Sequence, residues 1–124
     1  MPDYDTSASP PALLAQMELW TQDGEPYVAV PMLLNSGSDV TIVPLSAAQA
    51  VRATLRPYSI PLLAYDGERV YRDRARLIMR LLRYTFGGDY LVDDVAVGVL
   101  GRNVLNALVV ILDGPRLIWS AHAP

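Results

Sequence analysis

The feature that most constrains this chain is the close spacing of its turn signals. Asp23-Gly24, Asp66-Gly67, Gly87-Gly88-Asp89 and Asp113-Gly114-Pro115 cut the apolar sequence into runs that suit strands better than helices. Ala15 to Trp20 and Tyr27 to Leu34 flank the first signal and predict a hairpin. Thr41-Ile42-Val43 is β-branched and predicts a strand, and after Pro44 the spacing Ser46 to Gln49 predicts a capping box opening a short helix to about Leu55. Ile60 to Tyr71 predicts a second hairpin with a polar tip. Arg74 to Leu81 places Ala75, Leu77, Met79 and Leu81 on one side and arginines mostly on the other, the period of a half-buried strand, with a helix as the rival reading. A turn at Gly87-Gly88-Asp89, a strand from Tyr90 to Val99, a helical turn near Val104 to Ala107 and a last strand pair, Leu108 to Leu112 and Arg116 to Trp119, complete a mostly β inventory.

With 124 residues the chain holds one core, read as a domain over 13–124. Residues 1–12, rich in proline and small polar side chains, are expected to form a flexible arm that resists regular pairing. The net charge of -3 offers no footprint for nucleic acid. All ten basic residues are arginine, and the stretch from Arg69 to Arg83 predicts one solvated face with acidic neighbours. Without cysteine, disulfides, zinc–thiolate sites and a thiol nucleophile are excluded. A lone histidine, His122, leaves little for a serine triad or a histidine metal site, so any hydrolysis is expected to be carboxylate chemistry without a cofactor. Asp93 and Asp94 do not make a metal pair, because adjacent strand residues point to opposite faces. With no apolar run of membrane length and no signal pattern, the expectation is a cytoplasmic protein without membrane partners.

Two segments carry chemical information. Leu33-Leu34-Asn35-Ser36-Gly37-Ser38-Asp39-Val40-Thr41 resembles the Asp-Thr/Ser-Gly active-site signature of aspartic proteases, with Asn35 at the position of the aspartate. About 65 residues further on, Val99-Leu100-Gly101-Arg102-Asn103-Val104-Leu105 resembles the segment that closes a retropepsin subunit. A glycine-containing hairpin lies between them, where the flap of that family belongs. The resemblance spans roughly residues 13 to 120 and is nearer to cellular and bacterial retropepsin-like proteins than to retroviral ones.

That resemblance implies a closed β-barrel subunit with a flap hairpin and one or two short helices. It also implies a homodimer, since each chain supplies one half of a catalytic pair. In such a pair two carboxylates about 3 Å apart share one proton and activate water between them. Asn35 takes the catalytic position, and Ser36, Gly37 and Ser38 form the active-site loop. Ser36 is expected to bond across the dimer. Gly37, Asp39 and the flap residues Tyr65, Asp66 and Gly67 would contact an extended, largely apolar peptide, and Asp39 with Arg102 would form an ion pair tying loop to helix.

Asn35 decides the activity. A neutral amide can neither act as base nor hold the shared proton, so the chain as it stands is expected to be inactive. The residue fits an aspartic endopeptidase whose aspartate was deliberately changed to a nearly isosteric amide, or a natural pseudoprotease serving as a peptide-binding or dimerisation module. The residues alone also allow an ordinary polar turn between two strands of an unrelated β-domain.

Overall fold

The computed structural model describes residues 1–57, 62–63 and 66–124. Along the chain run β1 (Leu14–Trp20), β2 (Val28–Leu34), β3 (Ile42–Pro44), α1 (Leu45–Ala50), β4 (Leu55–Pro57), β5 (Leu62–Leu63), β6 (Arg69–Val70), β7 (Asp73–Leu81), β8 (Tyr84–Asp93), β9 (Gly98–Leu100), α2 (Arg102–Leu105), β10 (Val109–Asp113) and β11 (Ile118–His122). A seven-stranded sheet in the order β1-β2-β9-β3-β8-β7-β4 also pairs β1 with β7, which closes a six-stranded barrel and leaves β4 outside the ring. Closure removes the edges that an open sheet of this size would expose.

The alternation of side chains explains the closure. Ala15, Met17 and Leu19 of β1 are buried while Gln16 and Glu18 face outward, and β7 buries Ala75, Leu77, Met79 and Leu81 in the same rhythm. The strand reading of 74–81 therefore holds over its helical rival. Met17, Leu19, Met32, Leu77, Met79, Leu81 and Leu100 fill the barrel, and Ala47 and Ala48 of α1 pack on its wall. The outward arginines meet carboxylates, Arg56 with Asp89 at 2.7 Å and Arg72 with Asp93 at 2.9 Å, as a solvated face requires.

Several expectations are corrected. Gly87-Gly88-Asp89 is no turn. β8 runs straight through it, with Gly87 opposite Ile78 and Gly88 opposite Leu77. The Tyr90 ring covers Gly88, where a Cβ would sit 3.3 Å from the ring, so an aromatic two residues on fills the missing side chain. The reversal occurs instead at Leu82-Arg83, with Leu82 at φ 55° and Leu81 paired to Tyr84. The strand expected from Tyr90 to Val99 is two strands, β8 ending at Asp93 and β9 beginning at Gly98.

The capping box after Pro44 does not form. Pro44, at φ -58° and ψ 135°, is itself the N-cap with no side-chain bond, so Ser46 lies inside α1. The helix also stops at Ala50 rather than near Leu55, because Arg52 turns left-handed at φ 59° and delivers Leu55 into β4 beside β7. The premise that residues 1–12 resist regular pairing is corrected as well. Asp3 bridges Ile118, the Tyr4 N–H donates to Leu117 O at 2.8 Å, and the Trp119 N–H donates to Pro2 O at 3.0 Å. Among the described residues no helix is long and apolar enough to cross a membrane.

Candidate active site

The loop at 35–40 leaves the buried end of β2 and returns through β3, and the β9–α2 junction lies against it. β2 pairs parallel with β9, with Leu34 opposite Leu100, so the two sequence motifs leave the barrel side by side. The Asn35 N–H donates to Leu100 O at 2.9 Å, and the Arg102 N–H donates to Ser38 O at 2.8 Å. The Arg102 guanidinium reaches Ser36 O at 2.7 Å. Residues far apart in sequence thus share one small bonded unit.

Thr41 is the centre of that unit. It is 1% exposed, and its hydroxyl accepts the Gly101 N–H at 3.0 Å while donating to Asn103 Oδ1 at 2.6 Å. Gly101 has no room for a side chain, since a Cβ there would run into Val40 O and lie 2.6 Å from the Val40 carbonyl carbon. The Ser38 hydroxyl donates to Val40 O at 2.7 Å and holds the loop's far side. Thr41, Gly101 and Asn103 stand inside the two segments recognised in the sequence, where no individual role was read for them. The available signal was a hydroxyl in an apolar β-branched stretch, which needs a partner when buried.

Asn35 is half-buried at the head of the loop. Its Oδ1 accepts the Gly37 N–H at 2.8 Å, and its carbonyl accepts the Ser38 N–H at 3.2 Å. Only an acceptor can take the Gly37 N–H, so the amide oxygen faces that donor and Nδ2 points away from it. A carboxylate oxygen would satisfy the same donor. Ser36 and Gly37 are exposed, and Asn35 itself brings no titratable group to the loop's centre.

The expected ion pair between Asp39 and Arg102 is not formed. Arg102 spends its guanidinium on Ser36 O, and exposed Asp39 makes no ion pair among the described residues. Backbone carbonyls at the loop were nearer acceptors than the carboxylate. The link between loop and helix exists, but through main-chain oxygens.

Asp66 and Gly67 sit at the tip of the β5–β6 hairpin, with Leu62 opposite Val70, the Glu68 N–H donating to Asp66 Oδ1 at 3.0 Å, and Gly67 at φ +83°. Tyr65 lies outside the described residues. No hydrogen bond ties Asp66 or Gly67 to the 35–38 loop among the described residues.

Beside Ser36 and Asn106 opens a depression of about 280 Å³ whose other walls are Leu13, Leu34, Leu105, Leu108, Val110 and Leu112. Val110 and Leu112 bring β10 to its rim, and Val109, Ile111 and Leu112 of that strand are 40%, 50% and 56% exposed. β10 pairs with β11 on one side, and no described strand pairs with its other edge.

No family model and no curated protein matches the chain by sequence. By structure it is similar to the EIAV protease complexed with the inhibitor HBY-793, with a TM-score of 0.60 and 18% identity over 77% of this chain and 86% of that one. At that identity the likeness establishes a retropepsin-like fold and leaves activity to chemistry.

Proposed function

We propose that this chain is the subunit of a homodimeric aspartic-endopeptidase framework which, with Asn35 in the catalytic position, holds an extended peptide without cutting it. The observation that carries the reading is the bond from the Gly37 N–H to Asn35 Oδ1, 2.8 Å, in a loop cinched to the β9–α2 junction. That loop keeps an oxygen where a carboxylate oxygen would stand, so its shape survives while its proton chemistry does not.

One chain offers one such position, and a second copy supplies the other. The unpaired edge of β10 and its exposed valine, isoleucine and leucine favour a second copy there, since an apolar edge in water is a template for pairing. Across the dimer, two aspartates at position 35 would share one proton, one acting as base toward water and the other as acid toward the scissile carbonyl. Asn35 removes both roles. Peptide binding draws instead on main-chain bonds of the kind an added strand makes, with the β5–β6 hairpin as cover.

A natural pseudoprotease is the second reading, favoured by the amide itself. Asn35→Asp separates the two. Restored cleavage of apolar peptides, strongest at acid pH and falling as pH rises because the pair must keep one proton, supports the endopeptidase framework. Sedimentation at about twice the 13.6 kDa chain mass should accompany it. A variant that folds and dimerises yet cleaves nothing in a broad peptide library leaves the binding module, and a monomer counts against both.

A further inference from the structure

Asn35 is held in an arrangement that peptide binding does not require. Its Oδ1 accepts the Gly37 N–H, and its backbone is anchored by Leu100 O on one side and the Ser38 N–H on the other. Between these anchors lies the Ser36 amide, whose N–H donates to no described atom. One new bond from that nitrogen to Cγ of Asn35 would close a five-membered ring, and the bond to the Gly37 N–H holds the side chain on this side of the loop. Ser36 is exposed, so solvent base reaches its N–H.

The other two asparagines are placed differently. The amide after Asn103 belongs to Val104 and donates to Gly101 O at 3.1 Å, and the amide after Asn106 belongs to Ala107 and donates to Val104 O at 3.0 Å. Asn103 also has its Oδ1 held by Thr41. Only Asn35 combines an unengaged neighbouring amide with a donor on its side-chain oxygen.

We propose that Asn35 is a self-modification site, at which the Ser36 nitrogen attacks Asn35 Cγ and the folded chain converts its own amide into an aspartate. The N–Cγ bond forms as the Cγ–Nδ2 bond breaks, and the Ser36 amide proton leaves with Nδ2 as ammonia. Water then adds across the new N–Cγ bond, hydroxyl to Cγ and proton back to the Ser36 nitrogen, so the sum is asparagine plus water giving aspartate plus ammonia. No electrons are transferred. The Gly37 N–H stabilises the negative charge that gathers on Oδ1 during attack, as an oxyanion donor does. Ring opening at Cγ restores the original backbone, which fits the anchors at Leu100 and Ser38; opening at the other carbonyl would insert an extra backbone carbon between them. The chemistry stands on the loop alone, and its consequence, a chain that acquires its catalytic carboxylate with time, rests on the proposed function.

The test is to age the purified full chain at neutral and mildly alkaline pH and follow peptides containing positions 35, 103 and 106 by mass spectrometry. The expected result is an amide-to-acid mass shift at position 35 alone, with aspartate exceeding isoaspartate. Conversion should run at least about tenfold faster in the folded chain than in urea, as a held geometry implies, and rise about tenfold per pH unit as the amide nitrogen ionises. Ser36→Pro, which has no N–H to lose, should abolish it. Conversion no faster than in urea, or equally fast at Asn103 and Asn106, overturns the proposal. If the aged chain shifts but, like Asn35→Asp, cleaves nothing, the peptidase reading fails and the modification stands; if Asn35→Asp cleaves but the aged chain never shifts, the modification alone fails.

Discussion

Replacing Thr41 with valine tests whether a single hydroxyl holds the two halves of the site together. The residue is 1% exposed, and its oxygen serves the buried Gly101 N–H and the exposed Asn103 side chain. Valine keeps the shape and removes both bonds. Asn103 can turn to water, so its loss costs little, whereas the Gly101 N–H stays buried without an acceptor at about 1–3 kcal/mol. Taking about 2 kcal/mol, and about 3–5 °C per kcal/mol for a chain of this length, Tm should fall by about 6–10 °C. Thr41→Ser retains the hydroxyl and loses one buried methyl, worth about 1 kcal/mol, so it should be the milder change. Thermal unfolding of the two variants gives the order. Amide exchange at Asn35 and Arg102 should also quicken in the valine variant, because their bonds to Leu100 O and Ser38 O flank the lost one. If valine is tolerated as well as serine or better, apolar packing and not the Thr41 hydroxyl secures the junction, and its hydrogen bonds hold nothing together.

Gly101→Ala should cost more than about 3 kcal/mol, because the new Cβ meets the Val40 main chain and neither strand nor helix can yield cheaply; folded yield and urea midpoint measure it. Arg102→Ala should loosen the 35–38 loop with a stability loss of about 1 kcal/mol or less, since its bond to Ser36 O is exposed, while Asp39→Ala should leave Tm unchanged. Burial pushes the Tyr90 phenol above its ordinary value of 10.0, with Arg76 opposing. The unfolded chain therefore ionises first, and stability present at lower pH should be lost as pH climbs from about 10 through the folded value. Tyr90→Phe should flatten that alkaline loss in pH-dependent unfolding, against the opposite contribution of half-buried Tyr84, whose phenol is lowered by the Ala123 N–H and Arg83.

Turns built on glycine were legible and turns built without it were not. Asp23-Gly24 places Gly24 at φ +90° between β1 and β2, and Asp113-Gly114-Pro115 joins β10 to β11, as their chemistry predicts. Leu82 and Leu117 adopt φ 55°, a conformation rare for a leucine, and nothing local announces it. Gly87 and Gly88 carry the same letters as a turn; what makes them strand is the Tyr90 ring over Gly88 and a full register with β7, both tertiary. The site followed the same division. Its two segments could be recognised as a pair, yet which atoms join them depended on the parallel pairing of β2 with β9, which no sequence spacing encodes. The resemblance implied a pair of Asp39 with Arg102, and the arginine found a main-chain carbonyl instead.

Each alternative at residue 35 would treat the loop differently. Alanine would strip the Gly37 N–H of its acceptor, and serine or threonine would present their oxygen one bond nearer the backbone than Oδ1. Aspartate would keep the acceptor and add a charge, which two copies facing one another in the proposed dimer would have to relieve by retaining a proton. Asparagine alone keeps the acceptor, the size and neutrality at every pH, with an amide donor left over for a facing copy. An asparagine at position 35 is therefore silent toward the fold and, in the proposed dimer, incapable of proton transfer. It follows that stability and dimerisation should barely respond to Asn35→Asp in acid, where the pair shares a proton, and should weaken for the aspartate form as pH rises and both carboxylates ionise.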